Sequence, residues 1–308
     1  VYRLNARADV SEHRHRWLSM RPLVQLKQDV EFNASLGGII DVLKIAASVQ
    51  LRQLQAREPL SKEFLAHLQD CLSMLHPDQV QHPFLRERED LPACVVVITS
   101  EEGFAGELNT LLVNAALDAW DAARGDTLVV LGERGASSLE ELNVPFVRFP
   151  GVTEAIEPAE VDRLKRYLIR EYLLGRWGKI LVVYARFLNV SSQRVEQETV
   201  LPQRLAGGSV RMPEPPLIAP SQTQVIEGLI NRSLSYLLHQ IFWQSKLSEC
   251  AARLMRLEAS SQELSRINQQ LALQYAKHLH ALADKAIREI SASRAPRSAA
   301  RRRRSDSA

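Results

Sequence analysis

The sequence predicts an α/β fold in which long N- and C-terminal helices form an antiparallel coiled coil, with a central Rossmann-like α/β domain between them in the chain. Both ends of the 308-residue chain repeat apolar residues at steps of three and four, the pattern of long amphipathic helices. The middle third alternates β-branched apolar runs with helical patterns, as consecutive βαβ units do. The segment 221–293 contains no proline and one glycine, so one helix can run through it.

The N-terminal part is predicted to hold two helices. Residues 1–20 are basic in part but lack an apolar core, so we expect a disordered extension and no secretory signal. Residues 21–76 carry the first coiled-coil helix and a following helix from about Ser61 to Leu75. Gly37 and Gly38 lie within the apolar stripe of the first helix, where paired glycines weaken a helix. They predict a bend or the close approach of another backbone.

Residues 90–203 are predicted to form the central α/β domain. The expected elements are strand 93–99, helix 105–123, strand 127–132, a loop region, helix 158–177 and strand 179–187. The strands are continuous apolar runs, as in parallel sheets that are covered on both faces. The following stretch, SSQRVEQETVLP, alternates polar and apolar residues and predicts an exposed edge strand.

The C-terminal segment 221–293 is predicted to be one long helix. Seventy helical residues extend about 100 Å, which is longer than the central domain is wide. Such a helix needs a partner outside that domain, and the N-terminal helix is the candidate of similar character. Residues 294–308 are predicted to be a basic, disordered tail.

Composition argues against several classes of function. The net charge is +3, and six arginines lie in the short tail, so the near-neutral body gives no case for nucleic acid. The three cysteines, Cys71, Cys94 and Cys250, are far apart and suit small buried residues better than a disulfide or a metal site. We find no apolar run of about 18 residues and so expect no membrane span.

A turn after the first predicted strand, TSEEGFAGEL, has the outline of a phosphate-binding loop because Gly103 and Gly106 precede a helix. It lacks lysine and both standard glycine patterns, and Glu101, Glu102 and Glu107 would repel a polyphosphate. We therefore expect no cofactor and no catalytic group here. The glycines suit a tight turn, and the acids suit a helix N-terminus.

Three segments in order resemble the gamma subunit of F-type rotary ATP synthases. The turn is similar to the family signature TSDxGLCGxxN, and the segment LKIAASVQLR is similar to its N-terminal MKMVAAAKLRRAQ run. The last helix is similar to the C-terminal signature that begins SExxARM. The positions that match in the turn are Ile98, Thr99, Ser100, Gly103, Gly106 and Asn109. Among those that match in the last helix are Ser248, Glu249, Ala252, Arg253, Leu271, Tyr275 and Ile290.

The resemblance implies a non-catalytic central shaft. In that family the terminal helices turn inside a ring of alpha and beta subunits, while the α/β domain sits on the membrane ring of c subunits with epsilon. Ion flow turns the shaft and couples to ATP synthesis or hydrolysis at the beta subunits. The implied location is peripheral, at the cytoplasmic face of the bacterial inner membrane. By the same resemblance, Lys44 and Arg253 are expected to contact partner subunits.

The chain departs from the family at polar positions near the shaft tip. Leu279 and His280 replace an arginine–glutamine pair, and Asp284 and Ala286 replace a threonine and a glutamate. These changes put the usual contacts with the beta-subunit catch loop in doubt. They suit a divergent gamma subunit, such as that of the alternative F-type ATPase of some bacteria.

Two other functions remain open at this level. The glycine turn allows an α/β nucleotide-binding module or enzyme with coiled-coil arms, which would bind nucleotide and lose it on Gly106→Val. The tail allows a nucleic-acid binder whose affinity falls steeply with salt. Lys44 could equally be an exposed coiled-coil lysine, and Arg253 a surface helix arginine.

Overall fold

A computed structural model describes residues 23–57, 62–75, 82–86, 88–203 and 218–305, with side chains of the last helix described as far as residue 292. The predicted N-terminal extension, residues 1–20, lies outside the described residues. The chain divides into two compact units. The first takes the chain up to Leu43 and from Glu258 onward, and the second is Lys44–Leu257.

The first unit is made of the outer parts of two long helices, α1 at Leu23–Ala56 and α6 at Gln222–Ser305. The Ser261 hydroxyl donates to Asp41 Oδ1 at 3.4 Å, and a Cβ on Gly37 would lie 3.6 Å from Leu264 Cδ2. Because contacts at lower numbers in α1 meet higher numbers in α6, the helices run antiparallel, as predicted. Gly37 faces the partner helix, whereas Gly38 faces open space.

Helix α6 is longer than the sequence predicted. It continues through residues 294–305, twelve residues past the expected end at Ser293. The backbone there is helical in place of the predicted disordered tail, since alanine and arginine are good helix formers and fill most of this stretch. Residues 306–308 lie outside the described part.

Helix α1 bears on the expectation about membrane spans. By length and composition alone it is apolar enough to cross a membrane, with a mean hydropathy of 1.4 in its most apolar 18 residues. Only 11% of that window is buried in the structure. Residues 32–49 contain just two charged side chains, Asp41 and Lys44. One such helix is weak evidence for a span, because helices that cross no membrane pass the same test, so the expectation of no membrane span stays a prediction.

The second unit contains a five-stranded sheet in the order β3-β2-β1-β4-β5. Its strands are β1 Ala93–Ile98, β2 Thr127–Leu131, β3 Val147–Phe149, β4 Lys179–Asn189 and β5 Ser192–Leu201. The first four are parallel, and β5 pairs antiparallel with β4 at one edge. The predicted parallel sheet and the exposed edge strand are therefore both present.

Helices pack on both faces of this sheet. The shorter helices of the unit are α2 Lys62–Met74, α3 Leu108–Ala119, α4 Glu133–Glu141 and α5 Pro158–Leu173. Val96 and Ile98 of β1 pack towards α5 and α6, while Val95 and Val97 pack towards α3 and α4. This alternation explains why β1 reads as a continuous apolar run. The sequence predicts a loop region over α4 and β3, because both elements are short and α4 is rich in polar residues.

The cysteines follow the prediction in two of three cases. Cys94 and Cys250 are buried free thiols. Burial raises the pKa of Cys94 well above its ordinary value and raises that of Cys250 to about 11. Cys71 is exposed on α2, so its prediction as a buried residue was wrong.

Candidate functional site

The glycine turn after β1 is closed by its own hydrogen bonds. The Ser100 amide donates to Asn109 Oδ1 at 3.0 Å, and the Asn109 amide group donates to Ser100 Oγ at 2.8 Å. The Ser100 hydroxyl donates in turn to the Glu102 carbonyl at 2.7 Å. The polar side chains of the turn therefore fix the start of α3 by binding one another.

Glycine is needed in this turn for its backbone geometry. Gly106 has φ +61°, which favours glycine, and Phe104 beside it adopts φ +66°. A Cβ on Gly103 would lie 2.8 Å from a guanidinium nitrogen of Arg134. The positive φ thus gives Gly106 a structural role that requires no phosphate, whereas the end of the flexible Arg134 side chain near Gly103 can move aside.

Glu101 occupies the position where an anion would bind at the next helix. Its Oε2 accepts from the Glu133 amide at 3.0 Å, at the N-terminus of α4. A helix N-terminus favours negative charge, and here the charge comes from the chain itself. Glu101 is one of the three acids expected to repel a polyphosphate. Its carboxylate already occupies the N-terminus of α4.

A second polar site lies on α6, where three charged side chains are buried together. We call Lys246, Glu249 and Arg253 the ionic cluster; they are 5%, 6% and 8% exposed. Lys246 Nζ donates to both Glu249 oxygens at 3.0 and 3.1 Å, and Arg253 Nη2 donates to Glu249 Oε1 at 2.6 Å. Burial raises the pKa of Glu249, and the two cations oppose that shift. Buried charges of this kind need partners, which the helix supplies at spacings of three and four.

The glycine turn and the ionic cluster meet at Arg253. Glu102 Oε2 lies 3.2 Å from Arg253 Nη2, and the Glu102 side chain is 74% exposed. Arg253 Nε is buried and has no hydrogen-bond partner among the described residues. The site is thus a buried arginine that is held by one buried carboxylate and one exposed carboxylate.

The same stretch of α6 is anchored to the sheet and to α1. The Ser248 hydroxyl donates to the Ala185 carbonyl at 3.0 Å, and Gln244 Oε1 accepts from the Phe187 amide at 3.0 Å. Trp243 Nε1 donates to the Leu54 carbonyl at 3.0 Å. These bonds tie α6 to β4 and to the end of α1.

The predicted site residues have different surroundings. Arg253 is buried, so its interpretation as a surface helix arginine was wrong. Lys44 is half-buried on α1. The four residues that depart from the family, Leu279, His280, Asp284 and Ala286, are all exposed on α6. Lys246 and Glu102 are not among the predicted site residues, although the charges spaced by three and four in an apolar stretch are a signal for Lys246.

The structure also holds a cleft of about 670 Å³ between α2, α5 and α6. Lys165 lies in it, donates to Ser235 Oγ at 2.6 Å and pairs with Asp162 at 2.8 Å. The charge of Lys165 is therefore already paired with a carboxylate of the same chain. The cleft gives no support to the nucleotide-binding alternative, which rested on the glycine turn.

Comparison with known proteins decides among the open functions. A family profile described as ATP synthase matches residues 23–295, which is most of the chain. The chain belongs to the gamma-subunit family of ATP synthase. The resemblance drawn from the three segments is thereby confirmed. As a gamma chain it is a non-catalytic stalk subunit, in the F1 portion of a complex that is attached to a membrane.

Individual gamma chains are similar over nearly their whole length. The ATP synthase gamma chain of Cytophaga hutchinsonii is 25% identical over 288 residues, which is 88% of this chain and 97% of that one. That of Xanthomonas oryzae pv. oryzae is 24% identical over 277 residues, 86% of this chain and 96% of that one.

Solved structures share the fold. A chain in the rotor of Euglena gracilis mitochondrial ATP synthase has a TM-score of 0.63 at 17% identity and covers 84% of this chain and 98% of its own length. A chain in the central stalk and c-ring structure of Tetrahymena thermophila mitochondrial ATP synthase has a TM-score of 0.55 at 17% identity, with coverages of 72% and 99%. The predicted fold, terminal helices with an α/β domain, is confirmed by these similarities.

Proposed function

We propose that this gamma chain is the rotating central shaft of an F-type ATP synthase. It couples ion-driven rotation of the membrane ring to ATP synthesis or hydrolysis at the beta subunits. The observation that carries the proposal is α6, one helix of 84 residues. Its inner part is bonded to the α/β sheet, and its outer part is paired with α1 in the coiled coil.

The exposed apolar residues of α1 support a surrounding ring of alpha and beta subunits. Phe32, Ile39, Val42 and Ile45 are 59–67% exposed in the chain by itself. An apolar surface of this extent usually marks a protein contact. The same surface accounts for the membrane-like composition of α1, because a helix enclosed by other subunits also loses its contact with water. Lys44, within this stretch, is a proposed contact to the ring.

The α/β domain supplies the other end of the coupling. In this proposal, residues 21–76 and 221–293 provide the shaft, and residues 90–203 meet the c-ring and the epsilon subunit. The protein then lies peripherally at the cytoplasmic face of the bacterial inner membrane. The proposal needs no cofactor, metal or nucleic acid.

Co-expression with the alpha and beta subunits of the same organism tests this function. We expect a complex with one copy of this chain and three of each partner, whose ATPase activity requires this chain. The chain alone should not hydrolyse ATP. A monomer that ignores both partners, or a purified chain that hydrolyses ATP by itself, would contradict the proposal.

A further inference from the structure

We propose that the cleft between α2, α5 and α6 binds a small aromatic carboxylate. The cleft has a volume of about 670 Å³, within the range of sites that hold small organic ligands. Its described lining residues all belong to the second compact unit. The inference adds a ligand site to the chain and does not depend on the proposed shaft function.

Two helix faces form the main walls of the cleft. Arg232, Tyr236 and His239 follow one another at steps of four and three along α6, so they share one face of that helix. A face of α5 with similar spacing lies opposite and consists of Pro158, Val161, Asp162 and Lys165. A hydrogen bond of 2.6 Å from Lys165 Nζ to Ser235 Oγ joins the two faces. The cleft is therefore bounded by helices that are bonded to each other.

Aromatic and apolar side chains line one part of the cleft. The rings of Phe64 on α2 and Tyr236 on α6 lie 5.4 Å apart between centroids, at an angle of 59°. Val161 adds an apolar surface from α5. Aromatic walls favour a flat apolar body, because rings pack well against the faces and edges of other rings.

The charges of the cleft leave one cation without a partner. Lys165 is neutralised by Asp162 at 2.8 Å, whereas no hydrogen bond or ion pair joins Arg232 to another described residue. Burial lowers the pKa of His239, so its imidazole is neutral at pH 7. The lining therefore has an excess of one positive charge, which matches one carboxylate. A guanidinium suits this group because it can donate two parallel N–H bonds to it.

His239 supplies a second unpaired polar group at the other end of the same face. No hydrogen bond joins its imidazole to another described residue, although the ring is partly buried. Seven residues separate Arg232 from His239, which corresponds to about 10 Å along a helix. A ligand with a carboxylate at one end, an aromatic body and a hydroxyl at the far end fits this order of side chains.

The first test measures binding of para-hydroxycinnamate to the full chain at pH 7 by isothermal titration calorimetry. Arg232→Gln should weaken binding about two- to fivefold, the range for one exposed ion pair. Arg256→Gln, at another exposed arginine of α6 that lies outside the cleft lining, is the matched control and should leave binding unchanged. The neutral amide of the same acid should bind the wild type and Arg232→Gln equally.

A second pair of variants tests the other contacts. Phe64→Ala should weaken binding of the acid and of its neutral amide alike, because it shortens the aromatic wall. Removing the hydroxyl, by using cinnamate in place of para-hydroxycinnamate, should cost about two- to tenfold in the wild type, the usual value of one hydrogen bond. In His239→Phe the two acids should bind equally, because the partner of the hydroxyl is gone.

Several results would overturn the proposal. They are the absence of binding to the wild-type chain, equal losses in Arg232→Gln and Arg256→Gln, and an undiminished effect of the hydroxyl in His239→Phe. Binding to the free chain that disappears once the alpha and beta subunits are assembled with it would assign the cleft to a subunit contact instead. None of these results bears on the shaft function, which is tested by the subunit composition and the ATPase activity of the complex.

Discussion

At the scale of single residues, Gly178 shows how closely backbones approach in the α/β domain. A Cβ at this position would overlap the carbonyl oxygen of Arg88, a backbone atom that cannot rotate away. The Gly178 amide also donates to the Pro92 carbonyl at 2.9 Å, which holds the segment in place. Glycine is required here because a Cβ has no room, and not because the residue has a positive φ.

Gly178→Ala should therefore destabilise the protein by about 1–3 kcal/mol, the usual cost of forcing an extra group into a packed interior. Urea unfolding followed by circular dichroism measures this loss. The matched control is Gly228→Ala on α6, where a Cβ meets nothing within 4 Å. Alanine there should be neutral or stabilise by up to about 1 kcal/mol, as in other helices. Equal effects of the two changes would contradict the packing argument.

His239, in the cleft beside α5, makes stability depend on pH. Burial lowers the pKa of its imidazole below the ordinary value. The unfolded chain then binds a proton at a higher pH than the folded chain does, so stability is lost as pH falls from about 6.5 towards the lowered pKa. We expect the difference in unfolding free energy between pH 7 and pH 5 to shrink in His239→Gln. An unchanged difference would show that this imidazole is not the responsible group.

At the scale of elements, the coiled coil depends on which glycine of a pair faces the partner helix. Gly37 lies against Leu264, whereas a side chain on Gly38 would enter open space. Two adjacent residues on a helix differ by about 100° in direction, so the two glycines have different surroundings. The sequence predicted an approach at this pair but could not assign it to one residue.

Gly37→Leu should push α1 and α6 apart and lower the thermal stability of the coiled coil. Gly38→Leu should leave the isolated chain unchanged or slightly more stable, because leucine is about 1 kcal/mol better than glycine in a helix. Thermal unfolding monitored at a helix-sensitive wavelength separates the two variants. If Gly38→Leu were the more harmful in the isolated chain, the helix faces would be assigned the wrong way round.

At the scale of the whole molecule, the exposed apolar surface of α1 connects the chain to its complex. Phe32 is 67% exposed, so it contributes little to the stability of the chain alone. A surface of this kind is stabilised only when a partner removes it from water. Phe32 should therefore contribute to binding of partner subunits and little to the folding of the isolated chain.

Phe32→Gln should leave the unfolding free energy of the isolated chain within about 0.5 kcal/mol. Its binding to the alpha and beta ring should weaken by about 1–3 kcal/mol, the value of burying one large apolar side chain. Leu142→Gln, at a residue that is 57% exposed in the α/β domain, is the control and should not weaken ring binding. Equal loss in both variants would point to general solubility effects.

Local patterns were sufficient for much of the molecule. Apolar spacing in 221–293 predicted α6, and continuous apolar runs such as Val95–Ile98 predicted strands buried on both faces. Three ordered segments indicated the gamma family, which the match over residues 23–295 then established. These features repeat at short spacings along the chain, so they can be recognised in the sequence without the tertiary structure.

Only the tertiary structure decided the rest. It buried Arg253, placed Glu102 against it and left Arg253 Nε without a described partner. It also assigned Glu101 to the N-terminus of α4, a helix too short and too polar to be predicted. Glu102 and Arg253 are 151 positions apart in the chain, and no local periodicity relates residues at that separation. The charge balance of such a site depends on which distant segments the sheet and helices bring together.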